Sequence, residues 1–460
     1  MHWFYPTERF FGPFSEADYV SWAQITNGDP LPRPLSIDVN LDPRQSGRDG
    51  CACNGEPSTA KQGPACDSQR LLDALERDIA QKGKLFDKDR GTECIRIRGL
   101  SRDLQPFGQL KPLLSHIADL FSGGLAPDQH SVVELDSDTL DEGLLAELRD
   151  LGLRGLTIRE TTSRPGPLLG PASVDLSRGN PGSSTRHGIG QAVSRARALG
   201  FESVTYVDPR FGQLPQPDSD AVRAASATLA RAHLEALLDQ QPDRICLSTS
   251  LPRAPAGADA LQTLAHLDDA QLNELEAIMA QFESAGYVPM GGSAFGRQPA
   301  RPGERFCMPH LSGHRTDLVG IGVGAISALG WAYAQNHRRP EQFMDAIARG
   351  RLPVERGIIV NQDDQMRREI IAHLLSDGRI DAGLLSRRWE VDFDRHFQPE
   401  LRVLDELAAR GALRRDADTL TVTRRGHLLL PQICRLFDRY ARHGYQPNRV
   451  IHLADRRPSG

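Results

Sequence analysis

Several side chains capable of chemistry occur in this sequence at spacings that would let them act together. Asp42, Ser46 and Asp49 follow one another as Asp-x3-Ser-x2-Asp, a spacing that metal-cluster loops use, here filled with oxygen donors. Cys51-x-Cys53 comes directly after, with Cys66 downstream, and could ligate a metal or form a redox pair. Cys307-x2-His310-x3-His314 has the spacing of a zinc or haem-iron ligand set, or is a coincidence within a polar loop. Three carboxylates, Asp38, Glu134 and Asp208, sit in short β-like runs and are candidates for acid–base work. Arg96, Arg98, Arg159 and Arg210 lie in or just after similar runs and could hold an anion through charge-assisted hydrogen bonds.

The runs that carry these residues recur with helical stretches between them: LSIDVNL (35–41), ECIRIRGL (93–100), SVVELD (131–136), GLTIRE (155–160), ESVTYVD (202–208), DRICLST (243–249) and YVPMGG (287–292). Such βα alternation is the pattern of a parallel sheet covered by helices, and six or seven units favour a barrel or partial barrel. Leu71, Leu72, Leu75 and Ile79 form one amphipathic helical face; Leu140, Leu144, Leu145 and Leu148 form another. Successive strand side chains point to opposite faces. Leu35, Ile37, Val39 and Leu41 should therefore face the helices and Ser36, Asp38, Asn40 and Asp42 the interior. The same rule turns Arg96 and Arg98 inward, with Glu134 and Asp136 on the third strand and Tyr206 and Asp208 on the fifth. Buried charges are costly without partners, so the interior is predicted to be an ionic cluster.

From about residue 350 the β rhythm gives way to helix-like segments, which predicts a separate, mainly helical C-terminal domain. The expected organisation is an N-terminal extension over 1–33, a barrel with its extension over 34–350, and the C-terminal domain over 351–460. The chain has 460 residues, 39% of them hydrophobic and 25% charged, with a net charge of −5, so no nucleic-acid partner is expected. The most apolar run, 318–334, is short and glycine-rich, which predicts a buried segment and no membrane span. Seven cysteines without an export signal predict free thiols and a cytoplasmic location; Cys94, Cys246 and Cys434 read as core residues.

Three further segments carry a family resemblance: DLVGIGVGAISALGWAYAQN (317–336), LPVERGIIVNQDDQMRREII and VTRRGHLLLPQICRLFDRY. With YPT at 5–7, LDALERDI at 72–79 and ARALGF ending at Phe201, they resemble the oxygen-independent coproporphyrinogen III dehydrogenases (oxidases), radical S-adenosylmethionine enzymes. The resemblance implies a partial (β/α)6 TIM-like barrel of the α/β class, an N-terminal extension over its mouth and a mainly helical C-terminal domain. Members of that family hold a [4Fe-4S] cluster with CxxxCxxC after the first strand. Here the loop offers Asp42, Ser46 and Asp49, or Cys51 and Cys53 if an insertion is allowed, and either set has too few thiolates for the usual cluster. The family's GGGTP run falls on Ile97-Arg98-Gly99-Leu100-Ser101, and its first-strand Tyr and His fall on Ser36 and Asp38. Glu134 and Asp208 match retained family acids, whereas a family glutamine falls on Thr161.

The resemblance thus implies a catalytically degenerate member that binds neither [4Fe-4S] nor S-adenosylmethionine, a tetrapyrrole-binding or haem-pathway partner protein. Two alternatives stay open. One is a repurposed, non-radical enzyme acting on an anionic substrate through Asp38, Glu134 and Asp208 beside the inward arginines. The other is a scaffold or regulator of an active relative. Ion pairs plugging the interior favour the last reading, and an open charged cavity favours the second.

Overall fold

A computed structural model describes residues 5–6, 8–41, 68–100, 110–121, 130–136, 140, 142–159, 193–208, 234–235, 237–247, 269–291, 294–297 and 316–441. Its centre is a 13-stranded sheet in the order β1-β13-β12-β11-β10-β2-β3-β4-β5-β6-β7-β9-β8. The six runs read as βα units form β2 (Leu35–Asn40), β3 (Thr92–Leu100), β4 (His130–Asp136), β5 (Gly155–Arg159), β6 (Ser203–Asp208) and β7 (Arg244–Leu247). They pair in parallel, in sequence order. This is the expected partial (β/α)6 architecture, with β10 (Asp317–Gly322) added in parallel beside β2.

The seventh run behaves differently. β8 (Tyr287–Gly291) pairs antiparallel with β9 (Ala294–Arg297), which is itself antiparallel to β7. Only residues 292 and 293 separate β8 from β9, too few for the crossover that a parallel pair requires. At the other edge β11 (Ile326–Leu329), β12 (Ala332–Asn336), β13 (Val354–Ile359) and β1 (Gly12–Pro13) add an antiparallel series to β10.

The apolar run at 318–334 is the β10–β11–β12 meander, buried throughout except for Gly330 and Trp331 at its turn. Two glycines make its close contacts feasible. A Cβ on Gly320 would stand 2.5 Å from the Ile326 carbonyl oxygen, and one on Gly322, at φ +98°, would stand 2.3 Å from that of Asn40.

Helices cover one face of the sheet. Along the chain these are α1 (Glu16–Asn27), α2 (Ser68–Gly83), α3 (Leu110–Leu120), α4 (Glu142–Asp150), α5 (Asp269–Ser284) and α6 (Pro340–Ala348). Ile37, Val39, Ile95, Ile97, Val133 and Leu156 from the strands share one core with Leu75, Ile79, Leu113, Ile117, Leu144 and Leu148 from α2–α4. The helix-facing set on β2 and β3 is the one that alternation predicts.

Beyond β13, α7 (Gln362–Asp377) opens a second core. Asn361 and Asp364 close a capping box at its start, and Gly378 at φ +61° ends it. α8 (Ala382–Trp389), α9 (Phe393–His396), α10 (Gln398–Ala409), α11 (Arg424–Leu428) and α12 (Leu430–Leu436) follow, with β14 (Arg379–Asp381), β15 (Leu413–Asp416) and β16 (Thr419–Val422) as a 3-stranded sheet. Arg424 pairs with Glu283 and Arg425 with Glu276 at 2.8 Å, fixing α11 against α5. Among the described residues, no helix is long and apolar enough to cross a membrane.

Candidate functional site

Strand register brings the charged interior together. Asp38 on β2 lies beside Arg96 on β3, and Asn40 beside Arg98. At the carboxyl end of β3 the register with β4 shifts between Ile97 and Leu100, and Gly99 takes φ +78°. This irregularity falls in the Ile97–Ser101 stretch, and its glycine supplies the left-handed backbone. From it Arg98 leans back to Asp38, its Nε lying 3.1 Å from Oδ2 and 3.2 Å from Oδ1. Both side chains are buried.

Glu134 on β4 is the second centre. It accepts from Arg96 Nη2 at 2.6 Å on one oxygen and from Arg159 on the other. Burial pushes its pKa up, but the Arg96 and Arg159 guanidiniums overcome that and hold it at about 2. Arg96 is raised in turn: burial opposes its charge, and the carboxylates of Glu134 and Asp38 outweigh the burial. Ser36 and Asn40 complete the β2 face, Ser36 Oγ reaching Thr316 Oγ1 at 3.4 Å and Asn40 Nδ2 donating to the Val323 carbonyl at 2.8 Å.

The predicted inward set is thus largely brought together, with one correction and one addition. Tyr206 does not face the interior: it stands in register with Ile158, which pairs with Leu135, and all three belong to the helix-side core. The side chain of Asp208 lies outside the described residues. The addition is Arg244 at the start of β7, 5% exposed, in register with Thr205 and through it with Thr157 and Glu134. Its signal was available, because Ile245 packs in the helix-side core and alternation then turns Arg244 inward. Asp136 stands beside Arg159 in register and is half-buried.

The β10–β12 part of the same sheet carries an aromatic and apolar cluster. Leu318, in register with Ser36, clusters with Ile326, Ala328, Tyr333 and Phe11. Arg368 donates to the Tyr333 hydroxyl at 2.9 Å and lies over its ring, and Arg356 lies over Phe11 and donates to Gln335 Oε1 at 2.8 Å. Asp42, Ser46, Asp49, Cys51, Cys53, Arg210, Cys307, His310 and His314 lie outside the described residues. Cys94 and Cys434 are buried and Cys246 half-buried, all three free thiols.

No protein-family model matches the chain. It is 32% identical over 266 residues to the oxygen-independent coproporphyrinogen III oxidase of Thermostichus vulcanus, covering 78% of that protein and 54% of this chain. The chain belongs to the oxygen-independent coproporphyrinogen III oxidase family. Its counterpart in Synechocystis sp. is 28% identical over 456 residues, covering 95% of this chain and 91% of the relative. The Escherichia coli counterpart is 27% identical over 427 residues, covering 89% and 86%. In structure the chain matches the radical SAM enzyme coproporphyrinogen III oxidase (HemN) of Escherichia coli with a TM-score of 0.68 at 24% identity, covering 95% of this chain and 96% of that one, a likeness of fold.

The cofactors that family membership raises can be set against these residues. Oxygen donors dominate the loop after β2, and hard oxygen ligands suit a [4Fe-4S] cluster poorly. Where the family pattern places a glycine run for S-adenosylmethionine, this chain has the buried guanidinium of Arg98 seated on Asp38. The Arg98–Asp38 pair does not fit S-adenosylmethionine at that position, and the loop after β2 lies outside the described residues.

Proposed function

We propose that this chain is a catalytically degenerate member of the oxygen-independent coproporphyrinogen III oxidase family that has lost [4Fe-4S] and S-adenosylmethionine binding and acts in the cytoplasm as a tetrapyrrole-binding or haem-pathway partner. The observation that carries this reading is the Arg98–Asp38 pair, a bulky buried ion pair at two positions where the family pattern has small or different residues. Restoring a cofactor site there would mean separating buried charges, at a cost of several kcal/mol.

The interior supports a tetrapyrrole better than it supports new acid–base catalysis. A general acid or base works best with a pKa near the working pH, whereas Glu134 is held at about 2 by two arginines. Its role in this reading is to hold Arg96 and Arg159 in place. Arg96, Arg98 and Arg159 are cations suited to a ring bearing carboxylates.

The test is to incubate the anaerobically purified chain with coproporphyrinogen III and S-adenosylmethionine after supplying iron and sulfide, and to titrate coproporphyrin separately by Soret absorbance. Saturable porphyrin binding without decarboxylation or 5′-deoxyadenosine formation is expected. Turnover would overturn the loss of activity, and absence of any porphyrin binding would overturn the tetrapyrrole reading.

A further inference from the structure

Away from the Arg98 bulge, at the amino ends of β2 and β10, a protruding side chain stands beside a hollow. Leu31 is 84% exposed, more than any other large hydrophobic among the described residues. A cavity of about 330 Å³ opens next to it, walled by Trp22, Ile25, Gly330 and Trp331. Asp29 and Arg33, the residues two before and two after Leu31, also line it. Ile25 is itself 48% exposed, so apolar surface continues from the hollow onto the outside of α1. Exposed apolar surface gathered in this way marks an interaction site.

The polar groups around the hollow are engaged within the chain. Asp317 takes Arg90 Nη2 at 2.6 Å on Oδ2 and the Gly330 N–H at 3.0 Å on Oδ1, and Arg33 is ion-paired to the same carboxylate. Thr26 Oγ1 donates to the Ala23 carbonyl at 3.0 Å and accepts from Arg90 at 3.1 Å. Two indoles and satisfied polar groups suit an apolar side chain. The segment that presents Leu31 is equally suited to being covered. It reads Pro30-Leu31-Pro32-Arg33-Pro34, so three of its five residues have no N–H, and the Leu31 N–H is taken by Asp29 Oδ1 at 3.1 Å. Its prolines also keep it stiff, so little conformational freedom is lost when a partner closes over it.

The charges beside Leu31 point to the partner. Asp29 and Arg33 are opposite in sign and equally spaced about Leu31. Where two such segments run antiparallel across a two-fold axis at Leu31, Asp29 of each copy faces Arg33 of the partner subunit, and like charges are kept apart. Arg33 keeps its contact with Asp317 in this arrangement, because its charge acts across the rim and fixes register more than affinity. The same axis brings the Leu31 of each copy to the hollow of the other, so one closed contact covers both.

We propose that this face joins two copies of the chain across a two-fold axis, Leu31 of each copy seated against Trp22 and Trp331 of the partner subunit. The interface is separate from the charged barrel interior and does not depend on the activity proposed for it.

Sedimentation velocity on the full chain, from about 1 to about 200 µM, tests the proposal. A reversible monomer–dimer equilibrium is expected, with a dissociation constant on the order of 10 µM, as suits a small contact with a charged rim. Leu31→Asp should weaken it more than about tenfold, because the carboxylate would have to enter the hollow. Asp29→Arg, which sets arginine against arginine across the axis, should weaken it severalfold. Both residues are exposed, so these variants keep the fold, and an unchanged thermal unfolding transition of the dilute monomer checks that. A chain that stays monomeric at the highest concentration would overturn the proposal. So would a dimer that Leu31→Asp leaves intact, since it would use another face, and a dimer indifferent to Asp29→Arg would overturn the two-fold register.

Discussion

Glu134 holds two guanidiniums in the barrel interior, and removing its charge leaves both without their shared carboxylate. Glu134→Gln is expected to cost about 3–5 kcal/mol at neutral pH, read by urea denaturation. The pH dependence has a definite sign. The folded pKa, about 2, lies below the ordinary 4.5. The stabilisation from ionised Glu134 is therefore fully present above pH 4.5 and is lost as the pH falls toward 2, a contribution on the order of 3 kcal/mol. The gap between wild type and Glu134→Gln should narrow across that interval; a constant gap would contradict the pairing. Asp38 and Arg98 should likewise couple, with Asp38→Asn/Arg98→Met less destabilised than the sum of its single variants by roughly 0.5–3 kcal/mol. At this scale the sequence was readable in part. Alternation of Ile95 and Ile97 with Arg96 and Arg98 identified the inward arginines, but which acid each one meets depends on the bulge at Gly99, and no periodicity encodes that.

Element positions were legible wherever one face was apolar and the other was not. β2 alternates cleanly and its helix-facing set is as read. β6 does not: Val204 and Tyr206 lie on one face and Thr205 and Val207 on the other, so a strand covered on both sides gave no contrast to fix its parity, and Tyr206 was assigned to the wrong face. The β8–β9 hairpin was likewise read as one more βα unit, because a short apolar run looks alike in parallel and antiparallel settings. Two predictions belong to elements. Gly322→Ala should lower stability by more than about 2 kcal/mol, because its φ of +98° and the approach of the Asn40 carbonyl leave no room for a methyl group, and thermal unfolding measures it. On α7, His373 is raised to about 9, chiefly by its hydrogen bonds to Asp377 and Glu369. Its stabilising charge is present below pH 6.5 and is lost as the pH rises through about 9. His373→Gln should remove that alkaline loss, which denaturation midpoints at pH 6 and pH 10 would reveal.

Across the whole molecule, two cores meet at surface ion pairs and at the N-terminal segment, where the Tyr5 hydroxyl donates to Asp364 at 3.1 Å. Exposed pairs such as Arg424–Glu283 are worth at most about 1 kcal/mol each, so the union of the two parts rests on packing and on buried contacts such as Tyr5–Asp364. The family likeness spans nearly the whole chain, yet a retained architecture transmits fold more safely than chemistry. The proposed departure lies at the carboxyl ends of β2 and β3, where the sequence offers Asp42, Ser46 and Asp49 in the loop and the buried Arg98 sits on Asp38. Anaerobic reconstitution with iron and sulfide, followed by counting iron per chain, tests that departure most directly. No stoichiometric cluster and no S-adenosylmethionine cleavage are expected. A full four-iron cluster that cleaves S-adenosylmethionine would contradict it.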